Sequence, residues 1–574
     1  MEYEYNEERQ RYLVSRGRII VNACPGSGKT TSVAYKLNNL IRNWAHKHSG
    51  IACLSFTNVA KDEINEKYYA FAGKALAHPH LVSTLDSFIN QYITLPHYQQ
   101  VLGYTNRPVI IEDTTWLDNL RLYQFRFGKV PIQHTYSPSK IDITHDGHFT
   151  YDGKTPNLST GDAAKFTRYC KEIKRIQFQN GLLKNSDSIY LAYKIISEKP
   201  EIAKLLSLRF PYIIIDEAQD TSEIQQLILE KLLEYNLESI ELIGDPYQSL
   251  YEWRDARPDL FFEKIKSDDW ATLELSNCKR SVQPIVNSYS LFRKQEHNNL
   301  IGRDLENEHD MPLHLIIFEN YDHLITKYYE ISSDYEDKKI LVRGKSSLIS
   351  LDATIQEVNY WKDTPFSPLQ FIIAKSDLEN GNIRAAINRI YRYVPLMLDP
   401  TIVTDLLKMH LFHEENKKNF LLKAQLLTLI KNIPNYDNTL LNWTAELSNH
   451  CHHTLGLKEL PNFILKEGVY RKFHKLAVNE LYNSPSNIST VTSIHKVKGK
   501  TFDSVMLVLS KNSSGQNLSI SDFSRPDDMP NEKKRLLYVA MSRPRSQLVI
   551  GIPRTNKIKD QFRSIFEGFV VHEV

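Results

Sequence analysis

Two short stretches of this chain hold residue types that can do chemistry together. In Ile19-Ile20-Val21-Asn22-Ala23-Cys24-Pro25-Gly26-Ser27-Gly28-Lys29-Thr30-Thr31, a short apolar run enters a loop that ends in Gly-Lys-Thr, and a helix-like stretch follows. Gly26 and Gly28 let backbone N–H groups converge on an anion, and the next helix points its positive end at the same place. Lys29 can reach the β- and γ-phosphates of a nucleotide, and the Thr30 hydroxyl can ligate Mg²⁺. Ala23 stands where the strict pattern has its first glycine, and an ordinary strand–turn–helix has the same outline. The second stretch is Tyr212-Ile213-Ile214-Ile215-Asp216-Glu217-Ala218-Gln219-Asp220, a buried-type strand ending in two carboxylates. Asp216 at the strand tip can hold Mg²⁺ through water, and Glu217 can polarise an attacking water. Alone, this stretch reads equally as an acidic strand-to-helix turn. Downstream of a phosphate loop, the catalytic reading is favoured.

Such groups must be positioned by a scaffold. Apolar, β-branched runs at Arg18–Asn22, Gly50–Phe56, Pro211–Ile215, Ile240–Gly244, Val505–Leu509 and Gln547–Ile552 predict buried parallel strands, and helical stretches alternate with them. That is the pattern of doubly wound α/β domains, whose ligands sit at the carboxyl ends of the strands. Two regions break the alternation. One is polar and aromatic, from about Pro96 to about Pro200, with turns at Asp146-Gly147 and Asp152-Gly153. The other, from about Ser346 to Asn487, is mostly helical in pattern. Each reads as an insertion into an α/β core.

At 574 residues the chain is too long for one core. Its 41% hydrophobic and 24% charged residues are ordinary for a soluble globular protein. No apolar run is long enough to cross a bilayer, and the acidic, polar start is no signal peptide. Five scattered cysteines suit a reducing cytoplasm, so the expected location is cytoplasmic, with no membrane partner. A net charge of +3 neither supports nor excludes a nucleic-acid partner, so that question rests on local sites. His450-Cys451-His452-His453 is the one metal-like run, but adjacent residues fan around a helix axis, and a polar helix end or loop is the better reading.

At the Asp216-Glu217-Ala218-Gln219-Asp220 box the chain resembles the UvrD/Rep-like superfamily 1 (SF1A) DNA helicases, in a compact form. The Ala-Cys-Pro-Gly-Ser-Gly-Lys-Thr loop is similar to that family's first motif, which commonly starts with Ala. The resemblance continues in order. Leu54-Ser55-Phe56-Thr57-Asn58 resembles motif Ia, and Ser83-Thr84-Leu85-Asp86-Ser87-Phe88 motif Ib. Leu242 to Arg254 (Leu-Ile-Gly-Asp-Pro-Tyr-Gln-Ser-Leu-Tyr-Glu-Trp-Arg) resembles motif III. Ser276-Asn277-Cys278-Lys279-Arg280-Ser281 resembles motif IV, although Lys279 stands near the usual aromatic, which relaxes the expected base selectivity. Leu341-Val342-Arg343-Gly344 looks like motif IVa, Val491 to Asp503 like motif V, and Glu532 to Arg543 like motif VI. Asn6-Glu7-Glu8-Arg9-Gln10 resembles the adenine-reading Q motif.

The resemblance implies ATP and Mg²⁺. It places Ala23, Pro25, Gly26, Ser27, Gly28, Lys29, Thr30 and Thr31 around the phosphates, and Gln10 at the adenine edge. Thr30 and Asp216 would serve the metal. Lys29, Asp216, Glu217, Gln248, Arg280 and Arg543 would carry catalysis, with Gln248 sensing the γ-phosphate and Arg543 an arginine finger. Arg280 and Arg343 would share the far wall. Phe56, Thr57, Asn58, Thr84, Tyr251, Trp253, Arg254, His495 and Lys498 would line a DNA track. Aromatic faces stack on any base, so they grip single strands without reading sequence. A core Phe56, a helix cap by Thr57 or Asn58, and core packing of Trp253 are the plainer readings of the same residues. The role of Arg535 stays open.

The implied fold is two RecA-like α/β domains around an ATP cleft, with two mostly helical accessory insertions. The first domain would be residues 1–95 and 190–270, interrupted by an insertion at 96–189. The second would be 271–345 and 488–574, interrupted at 346–487. The implied activity is an ATP-dependent helicase or translocase moving 3′ to 5′ on single-stranded or partly duplex DNA. The alternative is a DNA-end-sensing ATPase that regulates a partner nuclease of the OLD family, as in anti-phage systems of the Gabija type. An ATPase acting on small molecules or proteins would leave motifs Ia, III and V without work.

Overall fold

The structure is a computed structural model. It describes residues 3–574 apart from 112–113, 115–116, 119, 121, 236, 251–255, 306–309, 344–358, 363–366, 380, 392, 399–418, 483–490, 512–516, 527–529 and 555–563. Two compact units emerge: residues 1–112, 140–351 and 490–574 form one, and residues 113–139 with 352–489 form the other.

The first unit contains two six-stranded sheets, parallel throughout. The first sheet comprises β1 (Arg18–Ala23), β2 (Ile51–Ser55), β3 (Leu81–Thr84), β4 (Tyr212–Asp216), β5 (Ser239–Gly244) and β6 (Ala271–Leu275), in the order β6-β1-β5-β4-β2-β3. The second comprises β7 (Leu313–Phe318), β8 (Lys338–Val342), β9 (Val491–Ser493), β10 (Phe502–Val508), β11 (Pro544–Pro553) and β12 (Val570–Glu573), in the order β9-β8-β10-β11-β7-β12. Central strands such as β4 and β5 are buried at every position, because helices cover both faces of the sheet. That burial is why they read as continuous apolar runs.

The edge strands do not read that way. Only the last residue of β6 is buried, and its Thr and Glu positions face outward. It nevertheless pairs with β1 from Ile19↔Ala271 to Ala23↔Leu275, so the first sheet runs past the boundary expected at residue 270. The expected first insertion is also not one body. Residues 113–139 group with the second unit, whereas residues 140–189 belong to the first. Within it, Asp146-Gly147 turns the hairpin Ile141–Ile143/Phe149–Tyr151, with Gly147 at φ +82°.

The second unit is mainly helical. Its helices include Leu369–Glu379, Ile383–Tyr391, Phe420–Lys431 and Leu440–Leu455, packed around the buried rings of Trp361, Trp443 and Tyr482. Both indoles find acceptors, Trp361 on the Thr444 hydroxyl at 3.2 Å and Trp443 on the Pro434 carbonyl at 3.0 Å. Residues 450–453 lie within the helix Leu440–Leu455, where Cys451 is buried.

Candidate nucleotide site

All the groups that meet here lie on loops at strand ends or on the segments that follow them. After β1 the chain turns and enters the helix Lys29–Arg42. Gly26 at φ +72° and Gly28 at φ +79° occupy the left-handed region that glycine adopts without strain. Ala23 and Pro25 are buried, Lys29 is nearly so, and Thr30 and Thr31 are partly exposed. The Ser27 hydroxyl donates to the Cys24 carbonyl at 2.9 Å and steadies the turn.

The tip of β4 stands beside this loop. Thr30 Oγ1 donates to Asp216 Oδ2 at 3.1 Å, so the two residues expected to share a metal already meet. Glu217 has φ +57°, an uncommon conformation for a side chain of its size. Gln219 Nε2 holds the Glu217 carboxylate at 2.6 Å, and the Glu217 N–H donates to Asp216 Oδ1 at 3.0 Å. Burial, and then the charge of Glu217, raise Asp216 to about 7. Burial also pushes Glu217 up, but Lys29, Lys498, the Gln219 amide and Arg543 outweigh it and hold that carboxyl low.

The opposite wall comes from the second half of the unit. Arg543 is buried, and its Nη2 donates to Gln248 Oε1 at 2.7 Å. Gln248 Nε2 in turn donates to Asp245 Oδ2 at 2.7 Å. Arg280 donates to the Ser542 carbonyl at 3.0 Å, which brings it beside Arg543. Burial first, and Arg280 second, lower the Arg543 guanidinium to about 9. The segment Asn277–Val282 carrying Arg280 also closes on the phosphate loop, where the Lys279 N–H donates to the Gly26 carbonyl at 2.9 Å. A Cβ on Gly26 would stand 2.6 Å from that of Arg280. One apolar cluster runs through the joint, taking Cys24, Tyr247 and Leu250 from the first half and Cys278, Tyr289 and Tyr538 from the second.

A buried hub underlies both walls. Arg293 lies 4.5 Å over the Tyr247 ring and donates to Tyr538 Oη at 2.7 Å and Asp245 Oδ1 at 3.3 Å. Tyr538 donates to the other Asp245 oxygen at 3.1 Å, and the Asp245 N–H reaches Gln219 Oε1 at 3.1 Å. A hydrogen-bonded path therefore joins Glu217 to Arg543 through Gln219, Asp245 and Gln248.

Sequence reasoning missed Arg293 and Tyr538, whose partners lie far along the chain. It also missed Arg9. Gln10 is exposed, whereas Arg9 is buried and donates to the Ser27 carbonyl at 2.7 Å. Its guanidinium would be 3.3 Å from a Cβ on Gly28, so the residue of the helix Glu7–Val14 that reaches the loop is Arg9. Arg9 and Tyr12 both face inward at a spacing of three, and that periodicity is the signal that could have found it.

Other assignments shift. Arg343, expected beside Arg280, pairs with Glu532 at 3.0 Å, next to His495. Lys498 is ion-paired with the buried Asp220, so its charge bears on Asp220 and Glu217 instead of lying on an open face. Thr57 and Thr84 cap helices, accepting from the N–H groups of Ala60 and Ser87 at 3.2 Å each. Asn58 is exposed and Phe56 half-buried, both just beyond the end of β2. His495 lies in the turn Ile494–Val497, held low by burial and then by Arg343. Tyr251, Trp253 and Arg254 lie outside the described residues.

The donor set fits a metal-bound polyphosphate. A buried carboxylate driven toward protonation gains from a cation, and the buried Arg543 guanidinium with the half-buried Arg280 beside it gains from an anion. The fold and site together define a P-loop nucleotide hydrolase whose site is shared between two α/β halves. Comparison with known proteins narrows the class. Residues 5–268 match the UvrD/REP helicase N-terminal domain, and residues 271–555 the UvrD-like helicase C-terminal domain. The chain belongs to the UvrD-like helicases, a family of ATP-hydrolysing DNA helicases. It is 25% identical to the ATP-dependent DNA helicase Rep of Escherichia coli over 57% of this chain and 50% of Rep. It is 26% identical to a probable DNA helicase II homolog of Mycoplasma capricolum over 48% of this chain and 38% of that protein. Identity to the Gabija protein GajB of Bacillus cereus is 21%, over 99% of both chains. The matches to these first two relatives thus span half or less of those proteins. No helix among the described residues is long and apolar enough to cross a membrane.

Proposed function

We propose that the protein is an ATP-dependent DNA translocase and helicase that moves 3′ to 5′ on single-stranded or tailed DNA in the cytoplasm. One observation carries the reading: the Glu217–Gln219–Asp245–Gln248–Arg543 path, which links a carboxylate at one wall of the cleft to an arginine at the other. Thr30 and Asp216 would hold Mg²⁺, which would supply neutralisation of charge on the phosphates. Lys29 and the loop amides hold the phosphates in place. Glu217 orients and deprotonates the attacking water, while Arg280 and Arg543 stabilise charge that develops as the γ-phosphoryl group leaves. Since the arginines come from the other half, hydrolysis requires a closed cleft. Gln248 reports the nucleotide to Tyr251, Trp253 and Arg254 just after it in sequence, which grip bases together with Phe56. Thr57, Asn58, Thr84, His495 and Lys498 serve the DNA backbone.

The test is ATP turnover and strand separation on single-stranded, 3′-tailed, 5′-tailed, blunt and RNA substrates. The reading expects turnover stimulated by single-stranded DNA and separation only of the 3′-tailed duplex, with Glu217→Gln binding ATP without hydrolysing it. Equal turnover with and without DNA would sink it.

The full-length match to a Gabija protein favours a second reading, in which this ATPase senses DNA ends and licenses a separate nuclease of the OLD family. A nuclease that co-purifies with the chain, together with weak strand separation by the isolated protein, would select this reading over autonomous unwinding.

A further inference from the structure

A single helix of the second half touches the loop after β5 at successive points. The helix is Glu532–Met541, with Arg543 just beyond its end. Tyr538 reaches Asp245 and Arg543 reaches Gln248, both within the path described above. Arg535, near the start of the same helix, does something different. It is 1% exposed, and its Nε donates to the Ser249 carbonyl at 2.8 Å. Its Nη1 donates to the Pro530 carbonyl, immediately ahead of the helix. One planar guanidinium therefore fastens a backbone carbonyl of the first half to one of the second. Arg535 touches none of Lys29, Asp216, Glu217, Gln248, Arg280 or Arg543 through these bonds.

Ser249 is the last step before Leu250, which is buried in the shared core, and before the aromatic stretch that begins at Tyr251. Whatever shifts the helix that positions Arg543 must also shift Ser249, because the fork is rigid and both ends bind backbone. We propose that Arg535 is a positioning residue that locks Ser249 to the Arg543 helix, so that nucleotide-driven closure and the placing of Ser249 and Leu250 become one movement, through which DNA stimulates turnover. The proposal rests on the helicase reading above and adds to it the residue that carries the coupling. Lysine keeps the charge but offers no fork, and methionine keeps the bulk with neither.

The experiment compares wild type, Arg535→Met and Arg535→Lys. ATP turnover is measured without DNA and across a titration of single-stranded oligonucleotide, and each variant is checked for folding by circular dichroism and thermal melting. Arg535→Met should keep its DNA-free turnover and its KM for ATP, while the stimulation by DNA falls by roughly tenfold, within the range of known coupling residues. Arg535→Lys should recover part of that stimulation. A structural role alone would lower stimulated and unstimulated turnover by the same factor, and that result overturns the proposal, as does unchanged stimulation. If the methionine variant does not fold, the lysine variant decides: a reduced stimulation ratio supports the coupling and an unchanged ratio overturns it. Wild-type protein that DNA does not stimulate would fail the helicase reading itself, a result visible before any variant is made.

Discussion

The nucleotide walls and the described part of the proposed DNA track both draw on segments in or beside the strands, yet their side chains are held in different ways. At the walls, the bonds join residues far apart in sequence: Thr30 to Asp216 across 186 positions, Tyr538 to Asp245 across 293, Arg543 to Gln248 across 295. Along the track, Thr57 and Thr84 bond residues three positions away. A three-residue bond forms at the start of almost any helix and says little about function. A bond that closes hundreds of residues exists only because this fold brings the partners together. Geometry therefore argues strongly for the walls, and the track depends on its order within a family.

The difference can be pressed at several points. Arg543→Ala removes the cross-cleft arginine, so turnover should fall on the order of 10³–10⁵-fold, with ATP affinity changed far less. A fall confined to KM would mean that the wall only binds. Arg293→Met leaves Asp245 buried beside an apolar side chain, and chemical denaturation should register a loss of about 3–5 kcal/mol. A neutral result would show that the hub is not what holds the two halves together.

Lys498 lies on the border between the regions, and Asp220→Asn tests which side it serves. Burial raises Asp220 to about 6 even with Lys498 beside it. A carboxyl whose folded pKa exceeds its unfolded value stabilises the fold fully at low pH, and loses that contribution as pH rises through the folded value. Between about pH 4 and pH 6 wild-type stability should therefore decline from this group, and Asp220→Asn should flatten that part of the curve. If the variant also tightens single-stranded DNA binding, Lys498 belongs to the track once it is released. Thr84→Ala should have the smallest effect, about 1 kcal/mol of stability from a lost cap. DNA affinity that weakens beyond what stability explains would give Thr84 the phosphate contact that its local bond does not argue for.

Much of the α/β scaffold was legible in the sequence. The all-buried strands β2, β4 and β5, β1 beyond its exposed Arg18, and the β10 and β11 pair announce themselves as apolar runs. Strand β6 does not, because an edge strand alternates and carries Thr272 and Glu274 outward. Lys29, Thr30, Asp216 and Glu217 were readable as a set because phosphate and metal chemistry demands those types at strand tips. Arg293 and Tyr538 were not, because nothing near them in sequence names their partners. Arg343 has a place in the motif order, but that order says nothing of its partner, which in the structure is Glu532.

Gly26 gives the cleft a fine tolerance. Its missing side chain is the clearance between the phosphate loop and the strand bearing Arg280, a gap of 2.6 Å between the Cβ of Arg280 and the place where another would stand. A single methyl group there would act as a shim in the joint, leaving the loop able to meet phosphate while keeping the arginines out of reach. The seat of the fuel is thus also the gauge that sets how tightly the machine can shut.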